Sequence, residues 1–343
     1  MSNRLYVDFH IIQTVPPSCV NRDDTNSPKT AIYGGVRRAR VSSQAWKKAT
    51  RDMFKTQGIR TKKIHEILTE KIVSQGQGIL LEDAKKKAEK IINAAGITLS
   101  KDGEALKTGA LFFISPKQVE ELAALATRNN YEKKSAQAAL NENPTIDIAL
   151  FGRMVADDPT LNIDACCQVA HAISTHKAET EFDFFTAIDD CSPSDNAGAG
   201  MMGTVEFNSA TLYRYATIAV HDLKTQLGNA DVAAEAVQEF ARAFITSMPT
   251  GKQNTFANRT LPDYVLVTIR TDQPVNLVGA FESPVKGING YVESSIERLN
   301  AYAKTIYDNY SGEPKKSLII GNGVNLPKLL EQLEEGVRND LAD

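Results

Sequence analysis

The first regular pattern along the chain is an alternation. Leu5, Val7, Phe9 and Ile11 take one parity and Tyr6, Asp8 and His10 the other, which predicts a strand over residues 5–14 with one buried face. Residues 15–36 lose all period and read as a long polar loop, with Asn21-Arg22-Asp23-Asp24 as turn formers. A loop of that length is usually functional or mobile. From about 61 to 143 the pattern is helical and strongly polar, broken by glycines at 76, 78, 96, 103 and 109. Ser115-Pro116 reads there as an N-cap followed by a first-turn proline. This stretch is expected to be a helical insertion with a small core of its own.

Strands resume at 145–151, where Ile146, Ile148 and Leu150 alternate with Asp147 and Ala149, and again within 163–176. Phe182 to Ile188 and Val205 to Val220 are strand-like and flank the turn-rich run from Ser192 to Gly200, which suggests a long hairpin arm. Val237, Phe240, Ala241, Phe244 and Met248 recur at helical spacing and predict an amphipathic helix over 231–248. A strand at 264–270 follows, then helices at about 290–309 and 327–341. Strands, helix and strands in this order indicate an α+β fold with one discontinuous sheet domain.

Composition sets broad limits. The 343 residues are 42% hydrophobic and 24% charged, a globular balance with roughly two domains' worth of chain. No apolar run reaches the ~18 residues that cross a bilayer, and the first residues lack a signal peptide's apolar stretch. Four irregularly spaced cysteines make no disulfide framework, so a reducing cytoplasm is expected, with no membrane partner. The net charge of −3 argues against nucleic acid until it is mapped. Between Arg37 and Lys63 stand ten Lys/Arg residues and one acid, Asp52, so this window carries +9 and the rest of the chain −12.

That window has an ordered build. Tyr33-Gly34-Gly35 allows a sharp turn or a close approach, and Arg37, Arg38 and Arg40 follow. Val41-Ser42-Ser43-Gln44 reads as a helix start capped by Ser42 or Ser43, a natural phosphate site. On that helix Gln44, Lys47, Lys48 and Arg51 share a face. A basic stripe joined to an anion-binding helix end suits a phosphate backbone.

Other chemistry is thin. No Walker loop, dinucleotide fingerprint or zincin motif is present. Cys166-Cys167 with His171 and His176 suggests zinc only on paper, because adjacent residues on a strand point to opposite faces; core packing is the better reading. Of the acidic pairs, only Asp23-Asp24 lies beside the basic module, where it would serve a metal-dependent endoribonuclease. Tyr213, Tyr215, Phe182, Phe184 and Phe185 have the ring faces for base stacking, with core packing as the plainer account. Lys85–Lys87 and Lys133-Lys134 read as solvated faces.

Taken together, Asn21-Arg22-Asp23-Asp24, Ala31 to Gly35, Arg37 to Gln44 and Lys47-Lys48 resemble the N-terminal signature of the CasC family, the backbone subunits of the type I-E CRISPR complex Cascade. The similarity continues through Asp147 to Met154, Ala170 to His176, Phe184 to Asp190, Gly203 to Phe207, Tyr213 to Ala216 and Gly251-Lys252-Gln253. The resemblance implies an RRM-like (ferredoxin-like) palm over 1–60, 144–178 and 206–343, a helical finger insertion over 61–143 and a β-hairpin thumb over 179–205. It implies a non-catalytic, cofactor-free subunit that polymerises along CRISPR RNA. Its partners would be neighbouring copies, other Cascade subunits and, through the guide, a target DNA strand.

Carried over residue by residue, Ser42, Gln44, Lys47, Lys48 and Arg51 would contact RNA phosphates. Asn21, Arg22, Lys29, Arg37, Arg38 and Arg40 would be loop contacts to the same strand, and Lys252 and Gln253 would contact it from the matching turn. Met202 would be the thumb residue that wedges at a kinked base. Leu161 would be its counterpart, in a stretch, 157–162, that departs from the family's methionine-bearing loop. From Glu179 to Glu206 there are seven acids and no Lys or Arg, so the arm would act by apolar contact rather than by charge.

Overall fold

The structure is a computed structural model that describes residues 4–76, 78–103, 105–191, 201–321 and 323–342. It divides into two compact units, one made of Met1–Met53, Val169–Thr217 and Gln238–Asp340, the other of Phe54–Gln168, Ile218–Val237 and Leu341–Asp343. The architecture is mixed α+β around a main antiparallel sheet.

The sheet belongs to the first unit. Its strands include β1 (Tyr6–Ser18), β2 (Thr30–Tyr33), β3 (Val36–Val41), β4 (Ala172–Ser174), β5 (Glu181–Ala187), β6 (Met201–Ala219), β7 (Tyr264–Arg270) and β8 (Lys316–Ile319), and the short strand Cys167–Val169 also pairs with β6. They run in the order β8-β7-β1-β6-β4-β3-β2, and β5 pairs with β6 as an arm. β1 differs from the expected half-buried strand, because both of its faces are covered. On one face Phe9 packs against Phe240 and Phe244 of the helix Ala230–Thr246, and Val15 joins Val41, Trp46, Leu212 and Met248. On the other, Ile12 joins Tyr213, Tyr215, Leu277, Phe281 and Leu299 under the helix Val292–Ile306. Asp8 and His10 lie on this second face, fully buried: Tyr215 donates to Asp8 at 3.0 Å, and His10 Nδ1 and the Tyr213 hydroxyl share a hydrogen bond of 2.9 Å, while His10 Nε2 has no hydrogen-bond partner among the described residues.

The expected loop over 15–36 is also shorter. β1 runs to Ser18, and residues 30–41 form a hairpin, β2–β3, turned at Gly34 and Gly35 with φ of 58° and 76°. A Cβ on Gly34 would lie 1.6 Å from the Glu282 carbonyl oxygen, so this turn requires glycine for conformation and for space.

In the second unit, helices Ile64–Gln75, Leu81–Ala94, Pro116–Thr127 and Lys133–Asn141 enclose a core that includes Leu68, Ile72, Ile92, Leu122 and Leu140. Ser115 and Gln118 form a reciprocal capping box at the third of them. Two short strand pairs, 59–61 with 112–114 and 99–102 with 105–108, were not foreseen. The strand expected at 145–151 is the helix Ile146–Phe151. Four consecutive residues, Asp147–Leu150, are fully buried there, and Asp147 accepts the Gly58 N–H at 3.0 Å, so alternation carried no information about which side faces solvent.

Candidate nucleic-acid interface

The basic helix runs from Ser43 to Arg51 and is capped by Ser42, whose hydroxyl accepts the Ala45 N–H at 3.3 Å. Its buried side is anchored to the sheet. Trp46 lies against Arg214, whose guanidinium carbon is 3.7 Å from the ring centroid, and the Thr50 and Ser247 hydroxyls are within hydrogen-bonding distance at 3.4 Å. Arg214 is fully buried and donates to Gln13 Oε1 and the Phe244 carbonyl. Gln44 and Lys48 are exposed, and Lys47 and Arg51 are half-buried.

The loop after β1 is tied to the start of this helix. Asn21 Oδ1 accepts the Ser42 N–H at 2.9 Å, and the Asn21 carbonyl accepts the Lys29 N–H at 2.8 Å, which closes residues 21–29 at their base. Asp23 organises the tip by accepting from the Thr25 N–H and hydroxyl and the Ser27 N–H. Those bonds hold its carboxyl below the usual range. Arg22 projects from the loop and donates to Asn26 Oδ1 at 3.0 Å.

A third element closes on the same place. Gly251 approaches so near that a Cβ there would lie 2.2 Å from the Val20 carbonyl oxygen, and Lys252 follows in a left-handed conformation with φ of 46°. Burial pushes the Cys19 thiol up, while Lys252 and Arg22 pull it the other way, which places both cations around that residue. Asn21, Arg22, Lys48, Asp52, Thr250 and Gly251 line an open cavity of about 390 Å³. Gln253 lies exposed at the start of the following short helix.

A second cluster lies along β3. Arg40 donates to the Thr30 carbonyl at 3.1 Å and shares a hydrogen bond of 3.1 Å with His171 Nδ1. The His171 imidazole is lowered first by burial and then by the charges of Arg40 and Lys29, so the three stand together. Sequence reasoning missed His171 here, since the β3–β4 pairing that brings it in joins residues far apart in the chain. Arg37 is exposed. Arg38 is a correction: it is fully buried, and its guanidinium donates to the carbonyls of Tyr33, Ser174, Phe281 and Glu282. No donor of Arg38 faces a surface ligand.

The arm carries apolar side chains in the open. Met202 pairs with Thr186 and is 67% exposed, on the same face as Phe182 and Phe184 at 68% and 64%. The segment expected to connect its strands, 192–200, lies outside the described residues. Leu161 is fully buried in the core of the second unit, so it presents no surface for a base; the exposed apolar residue near it in sequence is Met154. Tyr213 and Tyr215 are core residues. Among the described residues no three His, Cys, Asp or Glu side chains are grouped to hold a metal ion. Cys166 and Cys167 are buried, and His176 accepts the Thr211 N–H and stacks on Tyr291. No helix of the described residues is long and apolar enough to cross a membrane.

Comparison with known proteins covers the whole chain. The family described as "CT1975-like protein" matches residues 7–342. A solved chain from a "CRISPR RNA-guided surveillance complex, pre-nicking" is 33% identical with a TM-score of 0.83, over 98% of this chain and 100% of that one. A second, from a "CRISPR RNA-guided surveillance complex", is 27% identical with a TM-score of 0.73, over 97% and 99%. No curated protein matches the sequence.

Proposed function

The chain belongs to the CT1975-like family, the CasC backbone subunits of type I-E CRISPR surveillance complexes, and we propose that it holds guide RNA through the surface built by the basic helix, the Asn21–Lys29 loop and the Gly251 turn. Arg22, Lys48 and Lys252 supply charge from three separate elements, Lys47, Arg51 and Gln44 extend the helix stripe, and Lys29, Arg37 and Arg40 continue along the hairpin. Gln253 adds an amide. Asn21 and Ser42 set the geometry, the buried Ser42 hydroxyl by accepting at the helix cap. Contacts of this kind grip any sequence and leave reading to base pairing with target DNA. The observation that carries the proposal is the convergence of these three elements on one cavity, in a chain similar end to end to subunits of RNA-guided complexes.

In this reading the sheet of the first unit is an RRM-like palm, the helices between 61 and 143 a finger and the β5–β6 arm a thumb. Copies assemble along the guide with other Cascade subunits in the cytoplasm, and the exposed Met202 wedges between bases, a contact that needs no positive charge. In this reading the subunit does no chemistry itself; of the candidate acid pair, Asp23 organises its own loop and Asp24 is exposed. Substituting Lys47→Glu together with Arg51→Glu is expected to strip co-purifying small RNA from the protein while circular dichroism stays unchanged. Undiminished RNA in the purified double variant would refute the assignment.

A further inference from the structure

Asp52 is the one acid among the eleven charged residues between Arg37 and Lys63. Local stability does not explain it. It caps the C-terminal end of the basic helix, its N–H bonded to the Lys48 carbonyl, where the helix dipole disfavours a negative charge. Lysine four residues before the acid is also the weaker order for a helical ion pair. Even so, both carboxylate oxygens of Asp52 take hydrogen bonds from Lys48 Nζ, each at 2.5 Å. Both side chains line the cavity that also receives Arg22 and the Gly251 turn. The carboxylate therefore sits where a phosphate oxygen would meet Lys48.

We propose that Asp52 is a tethered anion that occupies the Lys48 phosphate subsite in the free chain, so that RNA binds there by exchanging phosphate for carboxylate. The proposal rests on the RNA-binding reading above. A tethered carboxylate competes at high effective concentration, so an isolated phosphate or a mononucleotide gains little by displacing it. A polynucleotide that already engages Arg22, Lys252 and the rest of the helix displaces it as one step among many. Asp52 is thus a specificity residue, set against small anions and in favour of long strands. The exchange leaves the count of bound ions unchanged: Lys48 trades one anion for another, the freed carboxylate takes up a solvent cation in place of the one the phosphate releases, and this subsite adds nothing to the salt dependence of binding.

The test uses the purified full chain freed of nucleic acid, with a fluorescently labelled single-stranded oligouridine titrated over a range of KCl concentrations. Asp52→Asn keeps the side chain's shape and removes its charge. It is expected to bind about threefold tighter at low salt, the scale of one exposed ion pair, and to steepen the salt slope by about 0.7, the increment for one more neutralised phosphate of a single strand. Lys48→Gln should weaken binding more in the Asp52→Asn background than in the natural one, because only there is the ammonium unopposed. Inorganic phosphate should compete with the oligonucleotide better on the Asp52→Asn variant. Asp308→Asn, an exposed acid on another element, controls for net charge. An Asp52→Asn slope equal to that of the natural chain, equal gains from Asp308→Asn, or additive Lys48 and Asp52 effects would each overturn the proposal. Failure of the natural chain to bind oligouridine at all would instead strike the RNA-binding reading itself.

Discussion

Two neighbours on β1 act on the acid stability of the first unit in opposite directions. Burial raises Asp8 from 3.8 to about 6, against the hydrogen bonds from Thr217, Val275 and Tyr215 and the charge of Arg270, all of which lower it. Burial, followed by Arg270, drops His10 from 6.5 to about 3. The native chain therefore binds the Asp8 proton before the unfolded chain does, so Asp8's contribution is largest below about 3.8 and is lost as pH rises through about 6. The unfolded chain binds the His10 proton first, so that contribution is present above about 6.5 and is lost as pH falls towards 3. Between pH 7 and pH 4, His10 costs about 3 kcal/mol and Asp8 returns about 2 kcal/mol. These two groups together thus change stability by only about 1 kcal/mol. In Asp8→Asn the compensation disappears, and the variant should lose about 2 kcal/mol more than the natural chain over the same interval. Trp46, the single tryptophan, is buried in the same unit, so its fluorescence during urea unfolding at the two pH values is the assay. Other titrating groups cancel in the difference between variants. A difference that stays constant with pH, or an Asp8→Asn chain that gains on the natural one in acid, would refute the reasoning.

Gly251→Ala should cost about 2 kcal/mol, because its methyl group would meet backbone rather than a yielding side chain. It should also weaken RNA binding by displacing Lys252, the residue next to Gly251, which the unfolding midpoint and oligouridine titration measure together. Arg38→Met should destabilise the chain by about 3 kcal/mol through stranded carbonyls, yet leave RNA affinity per folded molecule intact. Arg37→Ala should do the reverse, with an unchanged midpoint and a salt slope shallower by about 0.7. Met202→Ala should alter the nuclease footprint on bound RNA more than it alters affinity, and identical footprints would remove the thumb's role.

The Ser42 cap and the helix beyond it were legible because cap chemistry is local. The two-sided burial of β1 was not, since a polar residue signals solvent only if nothing inside satisfies it, and Asp8 and His10 find Tyr215 and Tyr213 far along the chain. The loss of period after residue 14 read as a loop, yet β1 continues through Pro16 and Pro17 to Ser18. The misassigned arginine follows from the same kind of error. Once residues 36–41 are recognised as a strand, Arg38 and Arg40 fall on one face and Arg37 on the other. Which face is covered depends on the segment around Glu282, more than two hundred residues later. His171 had no signal of its own, because only strand pairing brings it to Arg40.

Basic residues in this chain serve two purposes that charge counting cannot separate. Arg38, Arg153, Arg214 and Arg270 are each almost wholly buried. They act as hubs for carbonyls that loops and helix ends leave without a backbone partner. Arg153 donates to Leu161 and Leu140, and Arg270 to Gln273, Ser311 and Gly312. A guanidinium suits this work because its five donors lie in one plane and stay charged even where burial lowers its pKa. Lysine, with one compact charge on a flexible stem, predominates instead at the exposed positions of the basic window. In the RNA-binding reading proposed above, the window's +9 therefore overstates what RNA would meet: one arginine is spent inside, and Lys48 carries its own carboxylate. On that reading, what would make the surface selective is the placement of the remaining charges on three separately held elements. A solvated basic face would need none of the Asn21, Gly251 and Trp46 contacts that hold those elements in position.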